Sequence, residues 1–389
     1  MISTWEQRKL EDIYGSIGNA FVGTATPYYV ESGHFYLESN NIKDGQINHN
    51  TEVFINDEFY EKQKDKWLHT GDMVMVQSGH VGHAAVIPEE LNNSAAHALI
   101  MFRNPKKEIE PYFLNYQYQT LKSKKKIENI TTGNTIKHIL ASEMQQFEVD
   151  MPELAEQKKI AEYFRALDHL ITLHQRKLEH VKKMKKSMLQ KMFPKKNQLY
   201  PEVRFPGFTD AWEQRKLGEI ATFINGRAYS QDELLNSGKY KVLRVGNFYT
   251  NDFWYYSDME LDDKYYAENG DLLYTWSATF GPHIWHGNKV IYHYHIWKIE
   301  LSKALEKNFA LQLLERDKQA ILSDKNGSTM VHITKAGMER KEVLLPKNIV
   351  EQVKIGQYFT NLDHLITLHQ RELDHLQLLK KGMLQQMFI

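Results

Sequence analysis

The sequence predicts an α+β fold in which two globular blocks of mixed α/β content are joined by two long antiparallel coiled-coil helices with pseudo-two-fold symmetry. Three observations support this prediction. A short motif opens both blocks, a long heptad-patterned segment occurs twice, and the blocks mix short β-type runs with glycine turns. The order along the chain is block, helix, block, helix, which indicates two copies of one module.

The repeats are the main evidence for duplication. The motif Trp-Glu-Gln-Arg-Lys-Leu at residues 5–10 recurs at residues 212–217. The stretch 156–193 recurs as 351–388, and residues 167–176 are identical to residues 362–371. The segments between these anchors show little similarity. A shared framework with different content indicates that the two copies recognise different things.

The repeated segment is predicted to be one long helix in each copy. Its seam residues are separated by alternating steps of four and three, which is the heptad rhythm of a coiled coil. In the first copy they are Ile160, Phe164, Leu167, Ile171, His174, Leu178, Val181, Lys185, Met188 and Met192; in the second they are Ile355, Phe359, Leu362, Ile366, His369, Leu373, Leu376, Lys380, Met383 and Met387. Roughly 38 residues at 1.5 Å each give a rod of about 57 Å. If the two seams pack antiparallel, a pseudo-two-fold arrangement follows.

Prolines and linkers set the predicted boundaries. Pro152 and Pro194 bound the first helix, and Pro346 precedes the second. We therefore predict a first block at 1–152, a first helix at 153–194, a second block at 195–346 and a second helix at 347–389. Within the second block, β-type runs lie at 241–245 and 290–299, and a helix is expected at 308–322.

Composition excludes several classes of protein. The chain has 389 residues, 42% of them hydrophobic and 25% charged, which is typical of a globular protein. It has no cysteine, so disulfides and thiolate zinc sites are excluded. The first residues lack the apolar core of a signal peptide, and no apolar run has the length of a membrane span. We therefore expect a cytoplasmic protein without a membrane partner.

Charge does not by itself indicate nucleic-acid binding. Lys plus Arg and Asp plus Glu number 49 each, so the net charge is zero. Phosphate binding requires a basic footprint. Any such footprint must therefore be a local face that is balanced by acidic residues elsewhere.

The motifs resemble those of the specificity subunit of type I restriction–modification systems. The segment 212–220, Trp-Glu-Gln-Arg-Lys-Leu-Gly-Glu-Ile, resembles the opening of a target recognition domain of that family, as does the lead Pro-Glu-Val-Arg-Phe-Pro-Gly-Phe at 201–208. Each copy closes with a proline, then Glu-Gln and Ile, entering the long helix: Pro152, Glu156, Gln157 and Ile160, and Pro346, Glu351, Gln352 and Ile355. The first copy lacks the lead and begins almost at its Trp. The resemblance covers the whole chain.

The resemblance implies a mechanism and partners. Each target recognition domain would read one half of a split site on double-stranded DNA, and the paired helices would act as a ruler for the gap. Two adenine methyltransferase subunits would dock on the pseudo-symmetric scaffold, and two motor-nuclease subunits would join them. Two recognition domains can bind the same face of the DNA when they lie one duplex turn apart, which is about 34 Å.

Candidate DNA-contacting residues in the first block lie in polar loops and a lysine cluster. Base reading uses donors and acceptors on loops or helix ends. We favour the glycine-flanked loop 77–83, the turn 132–137 and a basic cluster suited to phosphates. The candidates are Gln77, Ser78, His80, His83, Lys122, Lys124, Lys125, Asn134, Thr135 and Lys137. The alternative interpretation of each loop is a solvated turn, and of the cluster a solvated charge run.

The second block offers matching candidates. They lie in the loop 275–283, the turn 326–332 and the segment 225–229. The residues are Arg227, Tyr229, Trp276, Ser277, Thr279, His283, Ser328, Thr329 and His332. The segment His293-Tyr294-His295 is expected to place two imidazoles on one strand face. It lacks a third ligand, so no metal site is predicted.

No catalytic or cofactor motif is found. DNA methylation needs a cofactor loop and an Asn/Asp-Pro-Pro-aromatic pocket for the extruded base, and neither is present. The phosphate loop of an ATP-driven motor is also absent. We therefore predict a recognition subunit with no catalytic residues and no cofactor. Two alternatives stay open, namely a free-standing DNA-binding regulator and a duplicated scaffold that binds proteins.

Overall fold

The computed structural model describes residues 5–133, 135–249, 251–277, 279–323 and 333–388. The chain divides into two compact units. The first unit consists of Met1–His174 with Arg371–Ile389, and the second of Gln175–Gln370. Each long helix therefore begins in one unit and ends in the other. The finer predicted division, into blocks and spacer helices at 152, 194 and 346, stays a prediction.

The first unit contains strands and helices in a mixed order. Its strands are β1 (Glu6–Lys9), β2 (Tyr14–Asn19), β3 (Tyr29–Val30), β4 (His34–Leu37), β5 (Ile42–Lys43), β6 (Gln46–Ile47), β7 (Phe54–Ile55), β8 (Met73–Val76), β9 (Ala84–Val86), β10 (Ala95–Ala96), β11 (Leu99–Pro105) and β12 (Glu148–Met151). Its helices are α1 (Leu10–Ile13), α2 (Asp57–Glu61), α3 (Pro111–Tyr118), α4 (Leu121–Ile130), α5 (Ala141–Gln145) and the start of α6 (Leu154–Lys191).

A four-stranded antiparallel sheet, in the order β2-β11-β8-β9, forms the middle of this unit. Successive side chains of a strand point to opposite faces, so a strand covered on both faces reads as a continuous apolar run. Strand β8 fits this pattern. Met73 and Met75 pack into one core, and Val74 and Val76 pack into another. A second sheet has the order β10-β4-β7-β3, and β1 pairs with β12.

The second unit repeats this plan. Its strands are β13 (Glu213–Lys216), β14 (Ala221–Asn225), β15 (Tyr240–Leu243), β16 (Tyr255–Ser257), β17 (Tyr266–Ala267), β18 (Leu272–Thr275), β19 (Gly281–Ile284), β20 (Val290–Tyr292), β21 (Ile296–Leu301) and β22 (Glu342–Leu345). Its helices are α7 (Leu217–Ile220), α8 (Lys307–Ser323), α9 (Lys335–Arg340) and the start of α10 (Ile349–Gln386).

The sheets of the second unit correspond to those of the first. The order β14-β21-β18-β19 matches the order β2-β11-β8-β9, and the pair β13-β22 matches β1-β12. The remaining sheet has the order β16-β15-β20-β17. The predicted fold class, with two repeated blocks of mixed α/β content and two long helices, is confirmed. The expected helix at 308–322 is confirmed as α8.

One strand prediction was wrong. The apolar run 290–299 is two strands, β20 and β21, because a turn at His293–His295 interrupts it. The two histidines therefore do not share a strand face, although their rings lie 4.9 Å apart. The residues His293, Tyr294 and His295, which interrupt the apolar pattern, could have indicated this turn in the sequence.

The predicted long helices are present as α6 and α10, each with 38 residues. In the first unit Phe164 of α6 and Leu384 of α10 are buried in one core. In the second unit Phe359 of α10 and Leu189 of α6 share the other core. In each unit the start of one helix packs with the end of the other, so the pairing is antiparallel. Among the described residues no helix is long and apolar enough to cross a membrane.

Two lysines at seam positions are neutralised by aspartates. Lys380 lies 2.6 Å from a carboxylate oxygen of Asp168 in the first unit, and Lys185 lies 2.5 Å from Asp363 in the second. Asp168 also accepts a hydrogen bond from the hydroxyl of Tyr116 at 2.9 Å. A one-heptad slip would leave these half-buried charges without partners. The pairs therefore specify the register of the helices.

The Trp of the opening motif is bound by a Glu in the first turn of each long helix. The indole Nε1 of Trp5 donates to Glu156 at 3.2 Å, and that of Trp212 donates to Glu351 at 3.4 Å. Glu351 is 1% exposed. Arg204, which belongs to the lead segment of the second block, binds this carboxylate with Nε and Nη2 at 2.7 and 2.9 Å.

The Gln that follows this Glu joins two further segments. Gln157 donates to the carbonyl of Pro152 at 2.8 Å, and Gln352 donates to that of Pro346 at 2.9 Å. Their amide oxygens accept from the backbone N–H groups of Glu110 and Glu306. These contacts account for the repeated Pro, Glu-Gln spacing, because each buried polar group meets a particular backbone or side-chain partner.

The buried Arg204–Glu351 pair provides a stability test. We expect Glu351→Gln to lower the free energy of unfolding by about 3 kcal/mol, because it leaves Arg204 partly buried without its counter-charge. Urea denaturation followed by circular dichroism measures this change. The matched control is Glu156→Gln in the first unit, where the carboxylate is half-buried, and we expect a smaller loss. Equal losses in the two variants would contradict the assigned importance of the arginine.

Candidate nucleic-acid interface

The first unit has a cleft that collects several of the predicted contact residues. Its volume is about 410 Å³, and it lies among the loop after β8, helix α4 and the segment before α5. Its walls include His80, His83, Lys124 and Lys137. Four residues that were predicted separately, in the loop 77–83, the lysine cluster and the turn 132–137, therefore face one cleft.

The two predicted loops of this unit are hydrogen-bonded to each other. The N–H of Gly79 donates to Lys137 O at 3.0 Å, and the N–H of Ile139 donates to Gln77 O at 2.9 Å. Gly82 has a φ of 86°, and a Cβ there would lie 2.8 Å from the side chain of Ile127 on α4. Glycine therefore allows this loop to lie close against the helix.

The remaining candidates of the first unit lie around these loops. Ser78 forms a bridge with His138, and Thr135 is exposed. Asn134 lies outside the described residues.

Cationic and neutral donors are mixed in this cleft. Lys124 and Lys125 are exposed on α4 and make no ion pair among the described residues, whereas Lys122 contacts Asp150 at 2.9 Å. Burial, reinforced by the charge of Lys124, lowers the pKa of His83. Nδ1 of His83 accepts a hydrogen bond from the backbone N–H of Asp44 at 3.2 Å. The cleft therefore offers the exposed ammonium group of Lys124 for a phosphate and a neutral imidazole at His83, whose Nε2–H is left as a donor because Nδ1 accepts from Asp44.

In the second unit the matching loop is shorter than predicted. Thr275 ends β18 and His283 lies in β19, so the loop proper is 276–280. Ser277 is half-buried and Thr279 is exposed. Trp276 is held in place, because its Nε1 donates to Tyr294 O at 2.9 Å and its ring lies 5.9 Å from that of Trp297.

His283 is more enclosed than a loop position would be. Its ring stacks on Phe248 with the centroids 4.1 Å apart, and its Nε2 lies 3.2 Å from the hydroxyl of Tyr249. Burial, with the charge of Lys318, lowers the pKa of His283 to about 4. The imidazole is therefore neutral at ordinary pH.

Arg227 is less available than the sequence indicated. Its guanidinium binds both oxygens of Glu233 at 2.6 and 3.1 Å and lies over the ring of Tyr229. This bond lowers the pKa of Glu233 to about 2. The pair joins the two ends of the segment 227–233 and engages the two terminal nitrogens of the arginine.

Sequence reasoning missed the turn at 293–295 as part of this surface. The N–H of Tyr294 donates to Arg227 O at 3.0 Å, and the N–H of Trp276 donates to His295 O at 3.1 Å. The turn therefore joins the two predicted segments. Arg244, which follows β15, lies beside the same turn, and its charge contributes to the lowered pKa of His295, after burial.

Three predicted residues of the second unit, Ser328, Thr329 and His332, lie outside the described residues. Within the described ranges no group of three or more His, Asp or Glu side chains is placed to hold a metal ion.

Comparison with known proteins identifies the repeated units. The sequence model of the family described as "Type I restriction modification DNA specificity domain" matches residues 2–183 and 209–378. The chain is 25% identical, over 97% of its length and 91% of the relative, to the protein named as the type I restriction enzyme MjaX specificity subunit of Methanocaldococcus jannaschii. It is 23% identical to the type I restriction enzyme StySPI specificity subunit of Salmonella potsdam, over 61% of this chain and 53% of that protein.

Solved structures show the same fold. The S subunit of a type I restriction–modification system from M. genitalium superposes with a TM-score of 0.68 at 16% identity, covering 100% of this chain and 97% of that one. A chain from a study of complex assembly in a type I restriction–modification system gives a TM-score of 0.54 at 15% identity, covering 98% and 96%. The family model covers most of this sequence in two copies. The chain therefore belongs to the type I restriction–modification DNA specificity family.

Proposed function

We propose that this chain is the DNA sequence-specificity subunit of a type I restriction–modification enzyme. Each globular unit reads one half of a bipartite site, and the length of the paired helices sets the gap between the halves. The observation that carries this proposal is the duplication: the framework contacts of Trp, Glu and Gln occur twice, while the exposed loops differ in length and chemistry. Two recognition domains that share one framework but differ in their loops fit a DNA site with two different halves.

The proposed contact residues are those that the sequence analysis predicted. In the first unit the proposed DNA contacts are Gln77, Ser78, His80, His83, Lys122, Lys124, Lys125, Asn134, Thr135 and Lys137. In the second they are Arg227, Tyr229, Trp276, Ser277, Thr279, His283, Ser328, Thr329 and His332. Lys124 and Lys125, which make no ion pair among the described residues, suit phosphate contacts, and loop side chains beside neutral imidazoles suit base edges.

The proposed partners are double-stranded DNA, two methyltransferase subunits and two motor-nuclease subunits. The chain itself contributes recognition and no catalytic residue or cofactor. The two equivalent helix junctions, one in each unit, offer two equivalent sites for a pair of identical partners. Membership of the family supports the same assignment of recognition to this chain and of catalysis to its partners.

Loop substitutions test base reading. In the complex with its methyltransferase subunits, we expect His80→Ala with His83→Ala to change the first half of the methylated motif and leave the second half unchanged. Thr279→Ala, a matched change in the other unit, should alter only the second half. Mapping methylated adenines across genomic DNA measures both. A motif that is unchanged in both variants would reject these loop assignments.

The lysine cluster should behave differently from the loops. We expect Lys124→Ala with Lys125→Ala to weaken binding to all DNA sequences alike, and to reduce the slope of log affinity against log salt by about 2, because each lysine neutralises about one phosphate. Fluorescence anisotropy across a salt series measures this slope. Lys62→Ala, which removes an exposed lysine paired with Glu58, is the control and should leave the slope unchanged.

The ruler proposal predicts a change in the gap. Deleting residues 171–177 and 366–372 together removes one heptad from each helix and keeps the Lys185–Asp363 and Lys380–Asp168 pairs. Seven residues span about 10.5 Å of helix, so the gap should shorten by about three base pairs, with both half-sites kept. Methylation mapping reads the new motif. An unchanged gap in an active variant would contradict the ruler, and an unsplit wild-type motif would contradict the whole proposed function.

A further inference from the structure

Arg244 occupies a defined position at the end of two parallel strands. Strands β15 and β20 pair in parallel, with Leu243 opposite Tyr292. The next residues along the two strands are Arg244 and His293, and the N–H of His293 donates to Leu243 O at 2.9 Å. The carboxyl ends of parallel strands meet at one edge of a sheet, so the arginine is placed beside the turn at 293–295.

The backbone at Arg244 is held on both sides. Its N–H donates to Oδ1 of Asn247 at 3.0 Å, and the N–H of Asn247 donates to Arg244 O at 3.0 Å. The centre of its guanidinium lies 5.2 Å above the ring of Tyr255. The side chain is half-buried. Such packing orients the planar guanidinium and limits its rotation.

No carboxylate of the described residues forms an ion pair with Arg244, in contrast to Arg227 and its partner Glu233. Its charged and titratable neighbours include His293 and His295, in addition to Tyr255. Burial, with the charges of His295 and Arg244, lowers the pKa of His293 to about 4, so this imidazole adds no positive charge near neutral pH. The positive charge beside this turn therefore comes from the guanidinium, whose donors no carboxylate of the described residues engages.

The first unit has the same backbone arrangement with the opposite charge. Strands β4 and β10 pair in parallel with Leu37 opposite Ala96, and the next residues are Glu38 and His97. The N–H of His97 donates to Leu37 O at 2.9 Å, and the N–H of Glu38 donates to Asn41 at 2.9 Å. The position of Glu38 thus corresponds to that of Arg244.

Glu38, unlike Arg244, has its partners within the chain. It accepts from the hydroxyl of Tyr29 at 2.7 Å and lies 3.3 Å from Nδ1 of His97. Its side chain is only 21% exposed. One position of a shared framework therefore has its partners within the first unit, whereas in the second unit no carboxylate of the described residues pairs with it.

We propose that Arg244 reads a guanine in the half-site recognised by the second unit. An oriented guanidinium donates two parallel hydrogen bonds to O6 and N7 of guanine in the major groove, which is the most common specific protein–DNA contact. A phosphate would accept the same donors. The packed guanidinium and the adjoining polar turn favour a base edge over a phosphate, for which the exposed lysines of a helix are sufficient. This inference rests on the proposed function.

The experiment compares three variants in the complex with methyltransferase subunits. Arg244→Ala should reduce the preference for guanine at one position of the second half-site. We expect discrimination against the other bases there to fall roughly 5- to 150-fold. The first half-site should stay intact, which shows that the complex is folded. Arg244→Lys retains the positive charge but not the planar pair of donors, and it should reduce the preference for guanine at the same position. Lys241→Ala, which removes an exposed cation from the same strand, is the control and should leave the motif unchanged.

Selection from duplexes with a randomised second half-site measures base preference even where overall binding is weak. If both Arg244 variants retain every base preference, the inference is wrong, while a split motif that depends on this chain would still support the proposed function. If Arg244→Ala weakens binding to all sequences alike and keeps every base preference, Arg244 contacts a phosphate and base reading is overturned. Loss of dependence on this chain in the wild-type complex would reject the proposed function itself.

Discussion

The junction at the start of each long helix is the contact on which the rest of the structure depends. There a glutamate binds the Trp that precedes the opening strand, and the adjacent glutamine binds a proline carbonyl and the N–H at the beginning of a domain helix. Because the glutamine is buried and the glutamate is at least half-buried, each needs its partners, and these include the Trp and the domain helix, which are distant in the chain, and a proline that is close to the glutamine. This network joins the sheet, the helix and the closing strand of each unit.

The same requirement explains why the framework is repeated and the loops are not. Buried polar groups and half-buried Lys–Asp pairs tolerate few substitutions, since removal of one partner leaves the other without compensation. Exposed loops carry no such constraint, and their side chains can differ between the two units. Duplication followed by change in the loops therefore yields two readers with one architecture.

The two units carry opposite charges at one position where their backbone hydrogen bonds are the same. Position 38 and position 244 follow equivalent parallel strands and have equivalent hydrogen bonds to a following asparagine. One holds a carboxylate bound by Tyr29, and the other holds a guanidinium without a carboxylate partner among the described residues. If Arg244 reads DNA as proposed, recognition by the second unit depends on a polar group that no carboxylate of the described residues engages, and the net charge of zero conceals it.

The sequence by itself determined the duplication, the long helices and their seam, because heptad spacing and repeated motifs are local patterns. It also identified the polar loop 77–83, since glycines flank a polar stretch after a buried strand. Only the tertiary structure decided which cations are available. Arg227 lies six residues from Glu233, and sequence proximity does not show whether two charged side chains meet. Arg244 and His293 are brought together by parallel strand pairing across 49 residues, and a contact of that range has no local signal.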